Sequence, residues 1–377
     1  MFRRGERKME DIYEKLRQKL DSMTKGYPKT EKGSELVFLK KVFTEEDADI
    51  FIKFKRGLQS PQQVACDMGM SVEDAAEKLE SMSNRGLMYW ERDGLTKKYR
   101  IVPFIHGIWE FNVDSIDQKD AINMGQYYAE AYGKVLMDYH IPIARVVPVR
   151  ADTVKDGKLL PDDDIEAIIK KQKLIVASDC ACRKVATFAK RHCQCTDEMN
   201  VCIAFGRMAE YLLETKIANP RVITIEQALE ILHHDESSGL FVQMAHAKDC
   251  SGFCNCSKCH CGFLMAAKIH HGTGYDSWGN YKCTKDEESC VDCGKCVERC
   301  PVKAMTVDAD NKTAYHKEYC VGCGLCVTTC PTDSLILERK PDHLLTLPQE
   351  EKFFDNQDLM GLEKARIDKA RMAADNK

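Results

Sequence analysis

The tightest constraint on this chain is a repeat. CVDCGKCVERCP runs from Cys290 to Pro301, and CVGCGLCVTTCP runs from Cys320 to Pro331. Each half sets four cysteines at spacings of two, two and three residues and closes on a proline. The chain has 20 cysteines, and all but Cys66 lie between Cys180 and Cys330. In a short secreted protein such a count would suggest a disulfide framework. Here the chain has 377 residues, and its N-terminus, MFRRGERKMEDIYEKL, lacks the apolar stretch of a secretory signal. A reducing compartment keeps thiols free, and free thiols clustered at short spacings bind metal.

Two-residue spacings let three sulfurs wrap three corners of one cubane, while the fourth cysteine points away and serves the other cluster. Gly294, Gly322 and Gly324 allow the loops to turn tightly. Between the halves, AMTVDADNKTAYH reads as two strands about a turn at Ala309–Asn311. Tetrahedral zinc also takes four cysteines, usually as two C-x2-C pairs, but it needs neither the third thiol nor the Cys-Pro ending. The stretch resembles bacterial-type ferredoxins with two [4Fe-4S] clusters. That resemblance implies one cluster on Cys290, Cys293, Cys296 and Cys330, and a second on Cys320, Cys323, Cys326 and Cys300. With thiolates as the only ligands, no iron is open to substrate, and the chemistry is one-electron transfer. Asp292, Glu298, Asp308, Asp310 and Glu318 oppose the addition of an electron, so a low potential is expected. Cys283 falls outside the pattern and reads as a buried, unreactive thiol.

Residues 177–282 carry ten further thiols: Cys180, Cys182, Cys193, Cys195, Cys202, Cys250, Cys254, Cys256, Cys259 and Cys261. That is more than one cubane can use. Cys182-Arg183, Cys193 with Cys202, Gly239-Leu240 followed by His246, and Cys254-Asn255-Cys256 with Cys259 and Cys261 appear in order before the ferredoxin pair. This order resembles a wider group of iron–sulfur proteins of anaerobes, with Ser257 standing where that group has another cysteine. One further [4Fe-4S] cluster is expected, drawn from Cys182, Cys193, Cys202, Cys254, Cys256 and Cys259; zinc and plain reduced thiols are the alternatives. Arg183 reads as a surface ion pair. His246, His260 and the pairs His233-His234 and His270-His271 read as ordinary polar residues.

The expected fold class is α+β, in several domains. Residues 1–35 are an N-terminal helix and linker. Residues 36–110 follow the order helix, helix, turn, helix, hairpin of a winged-helix-like domain. Ser60 is an N-cap ahead of Pro61, Gly69 is a break, Ser71–Ser83 is a helix, and the hairpin turns at Asp93-Gly94. Residues 111–176 are a mixed helical connector, with a helix over Asp117–Tyr139. Residues 177–282 form a mixed, cysteine-rich metal domain in which Asn200–Lys216 and Thr224–His233 are helical. Residues 283–340 are the ferredoxin-like two-cluster domain, and 341–377 a charged tail in which 359–377 is expected to be an exposed or partly disordered helix.

Net charge is −4, so nothing global draws the chain to nucleic acid or anionic membrane. The candidate recognition helix carries Glu73, Asp74, Glu77 and Glu80 against Lys78 alone, and phosphates would repel it. The wing's Arg92, Lys97, Lys98 and Arg100 are weak evidence to the contrary. Docking or self-association is the expected role of this domain. Tyr89, Trp90, Phe104, Trp109 and Phe111 are expected to pack in its core. No dinucleotide-binding, P-loop, zincin or hydrolase motif is visible. The expectation is a cytoplasmic electron-transfer protein of anaerobic metabolism, not inserted in a membrane and not bound to DNA, serving a partner oxidoreductase without its own catalysis. Two other readings stay open. One is a redox-sensing regulator acting through the winged helix. The other is a catalytic or activating subunit with an open iron in the middle cluster.

Overall fold

The computed structural model describes residues 4–138, 142–270 and 278–375. Tyr139, the expected end of one helix, and His271 of the second histidine pair lie outside them. Helices alternate with small sheets throughout, an α+β arrangement.

Helix Arg4–Asp21 buries Leu16 and Leu20, four residues apart, against helix Glu45–Lys53. Three of the following helices begin with side-chain caps that satisfy otherwise orphaned amides. Thr44 pairs with Asp47 and Ser60 with Gln63 in reciprocal capping boxes, and Ser71 accepts from the Asp74 amide at 3.0 Å. Pro61 opens helix Pro61–Met68, and Gly69 ends it in the left-handed conformation. After helix Val72–Asn84, strands β1 (Met88–Asp93) and β2 (Thr96–Ile101) pair antiparallel. Asp93 lies opposite Thr96, so the turn is Gly94-Leu95, one residue later than expected. Gly94, at φ +62°, takes the first central position, which glycine tolerates best. Gln59 and Tyr99 exchange backbone hydrogen bonds at 2.8 Å and add a short third edge.

Asp117 caps helix Gln118–Tyr127, which continues through a π turn at Tyr128–Tyr132 into helix Gly133–Asp138. A six-stranded antiparallel sheet follows. It is built from β3 (Ala144–Val146), β4 (Ile175–Ser178), β5 (Cys202–Phe205), β6 (Arg221–Ile223), β7 (Phe241–Ala245) and β8 (Gly252–Cys256), in the order β3-β7-β8-β5-β4-β6. The boundary drawn at 176 runs through β4, and the sheet takes strands from both sides of it. Residues 202–205, expected to be helical, form a central strand instead, and the helix begins at Gly206. The alternation decides this: Ile203 and Phe205 enter one core while Cys202 and Ala204 face the other way. Helices Ile165–Lys170 and Ile225–Ser237 cover the first face with Ile165, Ile169 and Leu232. The opposite face carries Cys202, Cys254 and Cys256 together with Gln243.

Strand β9 (Tyr281–Lys285) pairs with β12 (Leu335–Arg339), and β10 (Met305–Val307) with β11 (Thr313–Tyr315). This last part docks on the six-stranded sheet's connections: the Val149 amide donates to the Cys323 carbonyl at 2.9 Å, and the Leu160 amide to the Tyr281 hydroxyl at 2.7 Å. The tail helix begins at Phe353, six residues before the expected stretch, and its first turns are buried. Helix Phe353–Asp375 buries Phe353, Phe354 and Met360, and Arg100 of β2 reaches Asp355 and Asp358, each at 2.6 Å. Two carboxylates one helical turn apart give the buried guanidinium a partner on each side. The far end of the helix is exposed, with Met372 at 67%.

Candidate metal centres and a cysteine-lined cavity

The eight repeat cysteines line two separate small cavities. Cys290, Cys293, Cys296 and Cys330 surround one, and Cys300, Cys320, Cys323 and Cys326 the other. Each set contains one cysteine from the other half of the repeat. The tight turn before Cys323 requires glycine: a Cβ on Gly322, at φ +72°, would stand 2.2 Å from the Tyr281 carbonyl oxygen. The first site is the more open, with Cys293 exposed; Cys320 and Cys323 of the second are buried. Burial pushes the Cys323 and Cys300 thiols up. Burial also acts on Cys330, but the Ser334 and Thr332 hydroxyls outweigh it and hold that thiol down. Ala304 N donates to Cys300 Sγ at 3.1 Å. Thiolates packed this closely in a dry site need a cation to offset them, and a coordinating metal deprotonates its thiols outright. The donor set therefore fits two thiolate-held iron–sulfur clusters.

Cys283 is buried, as expected, but it is not remote. Its amide points to Cys320 Sγ at 3.5 Å, and Cys326 Sγ lies 3.9 Å from its sulfur.

In the middle region the thiols divide into three groups. Cys180, Cys182, Cys202, Cys254, Cys256 and Cys261 line one apolar cavity of about 180 Å³. Cys193, Cys195 and Cys259 stand together elsewhere, with their sulfurs within 4.8 Å of one another. Cys250 is buried under the helix-covered face and donates to the Gly252 carbonyl at 3.2 Å. The candidate ligands thus do not converge: Cys182, Cys202, Cys254 and Cys256 face the cavity, while Cys193 and Cys259 join Cys195. Strand pairing places Cys202 directly opposite Cys254, and β8's period of two sets Cys256 on the same face. Gln243 Nε2 donates to Cys256 at 3.0 Å and to Cys261 at 3.2 Å. A hydrogen bond from Cys182 and the charge of Arg183 bring Cys180 down to about 6, against burial. Cys182 is pushed well up by that same bond and by burial.

Arg183 is no surface ion pair. It is 4% exposed, donates to the carbonyls of Glu198 and Asn255, and leaves Nε without a hydrogen-bond partner among the described residues. Folding has buried this cation beside Cys180, whose thiol its charge holds down. His260 is buried and lines the cavity, and His246 is buried on Arg145's side of the sheet. The other wall holds three groups that no sequence pattern indicated: His106, Glu110 and Tyr128. His106 sits at φ +55°, uncommon for a non-glycine residue, and burial brings it down to about 4. Burial pushes Glu110 up to about 7, although it accepts from the Gly107 amide at 3.0 Å. Tyr128 belongs to the π turn, an irregularity frequent at functional sites.

Residues 284–337 match the family described as the 4Fe-4S dicluster domain. No curated protein matches the chain. The match covers the two cysteine-lined cavities of the repeat, so this part is a ferredoxin-like domain that binds [4Fe-4S] clusters, and the chain is an iron–sulfur electron-transfer protein. No helix among the described residues is long and apolar enough to cross a membrane.

Proposed function

We propose that the protein carries electrons to or from a partner oxidoreductase in the cytoplasm of an anaerobe, using two ferredoxin clusters and a third held by the middle region. Cys290, Cys293, Cys296 and Cys330 hold the first; Cys320, Cys323, Cys326 and Cys300 hold the second. The third belongs to the cavity, with Cys182, Cys202, Cys254 and Cys256 as ligands. The clusters supply one-electron transfer when bound. The observation that carries the third site is the six-thiol cavity with Arg183 buried beside it. Iron and acid-labile sulfide counts on anaerobically purified protein, with electron paramagnetic resonance after reduction, test it. About twelve irons per chain are expected, and about eight would remove the third cluster.

A second reading, a catalytic subunit, gains from the opposite wall of the same cavity. His106, Glu110 and Tyr128 are proton-bearing groups facing the thiols across apolar space. A small ligand that altered the spectrum of the middle cluster alone would favour it.

The N-terminal domain, in this proposal a winged helix, serves docking rather than DNA. Its wing cations are already paired: Arg92 with Glu214, Lys97 with Glu80 and Glu214, Lys98 with Asp93, and Arg100 with the tail. Salt-dependent binding to duplex DNA in a fluorescence anisotropy titration would overturn this reading.

A further inference from the structure

Cys193, Cys195 and Cys259 differ from every other thiol group in the chain. Their three sulfurs lie within 4.8 Å of one another, and Cys195 Sγ is 4.0 Å from Cys259 Sγ. Four ligands placed tetrahedrally at a zinc–sulfur distance of 2.3 Å stand about 3.8 Å apart. Cubane thiolates sit on four different irons and are held farther apart. The same molecule provides the comparison: among the described residues, no three cysteines of the ferredoxin sites or of the cavity converge this closely.

A fourth donor stands beside the trio. Ser257 is 2% exposed, and its Oγ lies 3.2 Å from Cys193 Sγ. A zinc-bound oxygen at 2.0 Å would stand about 3.5 Å from each sulfur. The Cys259 amide donates to Ser257 Oγ at 3.0 Å and fixes its direction.

The surrounding chain needs a fastening at this point. Helix Ala181–Phe188 and strand β5 are separated by residues 189–201, which form neither helix nor strand. Cys193 and Cys195 lie in that excursion, whereas Ser257 and Cys259 lie in the turn between β8 and helix Gly262–Ile269. From the same turn, Lys258 Nζ donates to the Glu298 carbonyl of the first ferredoxin loop at 3.0 Å.

We infer that Cys193, Cys195, Cys259 and Ser257 form a mononuclear tetrahedral site for zinc, separate from the iron–sulfur clusters, that ties the 189–201 excursion to the turn after β8. Three thiolates and one oxygen are a donor set zinc accepts, and zinc brings no redox change. Ion binding then contributes to the folding of this excursion.

The test uses the full chain, purified without oxygen, with zinc and iron counted by mass spectrometry and zinc-edge X-ray absorption measured on the same sample. The zinc edge does not register iron, so the result stands whether or not the cavity holds an iron–sulfur cluster. About one zinc per chain is expected, with three sulfurs near 2.3 Å and one oxygen near 2.0 Å. Cys195→Ala should lose that zinc and keep its iron. Ser257→Cys, which needs no refolding of the excursion, should convert the zinc shell to four sulfurs. The inference falls if Cys195→Ala loses about four irons instead, as a cubane ligand would. It falls equally if wild-type protein holds no zinc, or if Ser257→Cys leaves the zinc shell unchanged.

Discussion

Replacing Asp163 by alanine should destabilise the six-stranded sheet severely. Arg145 Nε on β3 meets Asp163 Oδ1 at 2.8 Å, and both side chains are 1% exposed. Arg145 also donates to the carbonyls of Asp162 and of Ala245, the latter at 3.2 Å. The second carboxylate oxygen of Asp163 accepts from Asn280 Nδ2 at 2.9 Å, and Asn280 Oδ1 in turn accepts from the Thr346 amide at 2.8 Å. One carboxylate therefore joins the sheet edge to the base of the ferredoxin domain. Alanine would leave the guanidinium charged and unpaired in a dry site, a change that costs about 3–5 kcal/mol. At about 2–4 °C per kcal/mol, the melting temperature should fall by roughly 6–20 °C. Removing both charges is a different perturbation: Arg145→Met with Asp163→Leu leaves no buried charge unpaired, only the Asn280 amide and the two carbonyls that Arg145 had bonded, and most of the loss should return. Thermal unfolding of anaerobic full-length protein, followed by circular dichroism, compares the three. A fall of less than about 2 °C in Asp163→Ala, or a double variant as weak as the single, would refute this account of the network.

Other substitutions probe the remaining contacts. Gly322→Ala drives a Cβ against the Tyr281 carbonyl and should lower iron content by about one cluster, measured as iron per chain, with the first ferredoxin site retained. Arg100→Ala should free the start of the tail helix, seen as faster amide exchange over residues 353–360 while the core of the ferredoxin domain stays protected. Asp235 is fully buried, and burial pushes its carboxyl up to about 7, against the pull of Arg183. A carboxyl raised in the folded state holds its proton longer than in the unfolded chain, so stability drains away as pH rises from about 4 to 7. Asp235→Asn should therefore gain on wild type across that window, by up to about 4 kcal/mol above pH 7. Denaturation midpoints at pH 5 and pH 8 check it, and equal differences at the two pH values would contradict the assignment.

The ferredoxin loops were legible because three of the four cysteines at each centre sit at local two-residue spacings; the fourth, Cys330 or Cys300, followed from the resemblance to two-cluster ferredoxins. Caps at Ser60 and Ser71 were legible for the same reason, since each accepts from an amide three residues on. Strand β5 was missed because Cys202–Phe205 is only four residues long and runs directly into a helix with its own apolar spacing. The grouping of the middle thiols depends on strand register, which pairs Cys202 with Cys254 across 51 intervening positions of sequence. His106 and Glu110 carry no motif at all; a loop near the N-terminal hairpin brings them to the cavity. The tail's docking was equally invisible, because Arg100 and Asp355 are 255 positions apart.

The six-stranded sheet has one oily side and one sulfur side, and the two cannot be edited independently. Moving β8 by a single residue against β5 would turn Phe253 toward the thiols and Cys254 into hydrocarbon. Greasy contacts under helices Ile165–Lys170 and Ile225–Ser237 therefore act as the jig that aligns the sulfurs on the other face. Damage to that packing would surface first as a scattered set of thiols, in a protein whose every cysteine is still in place.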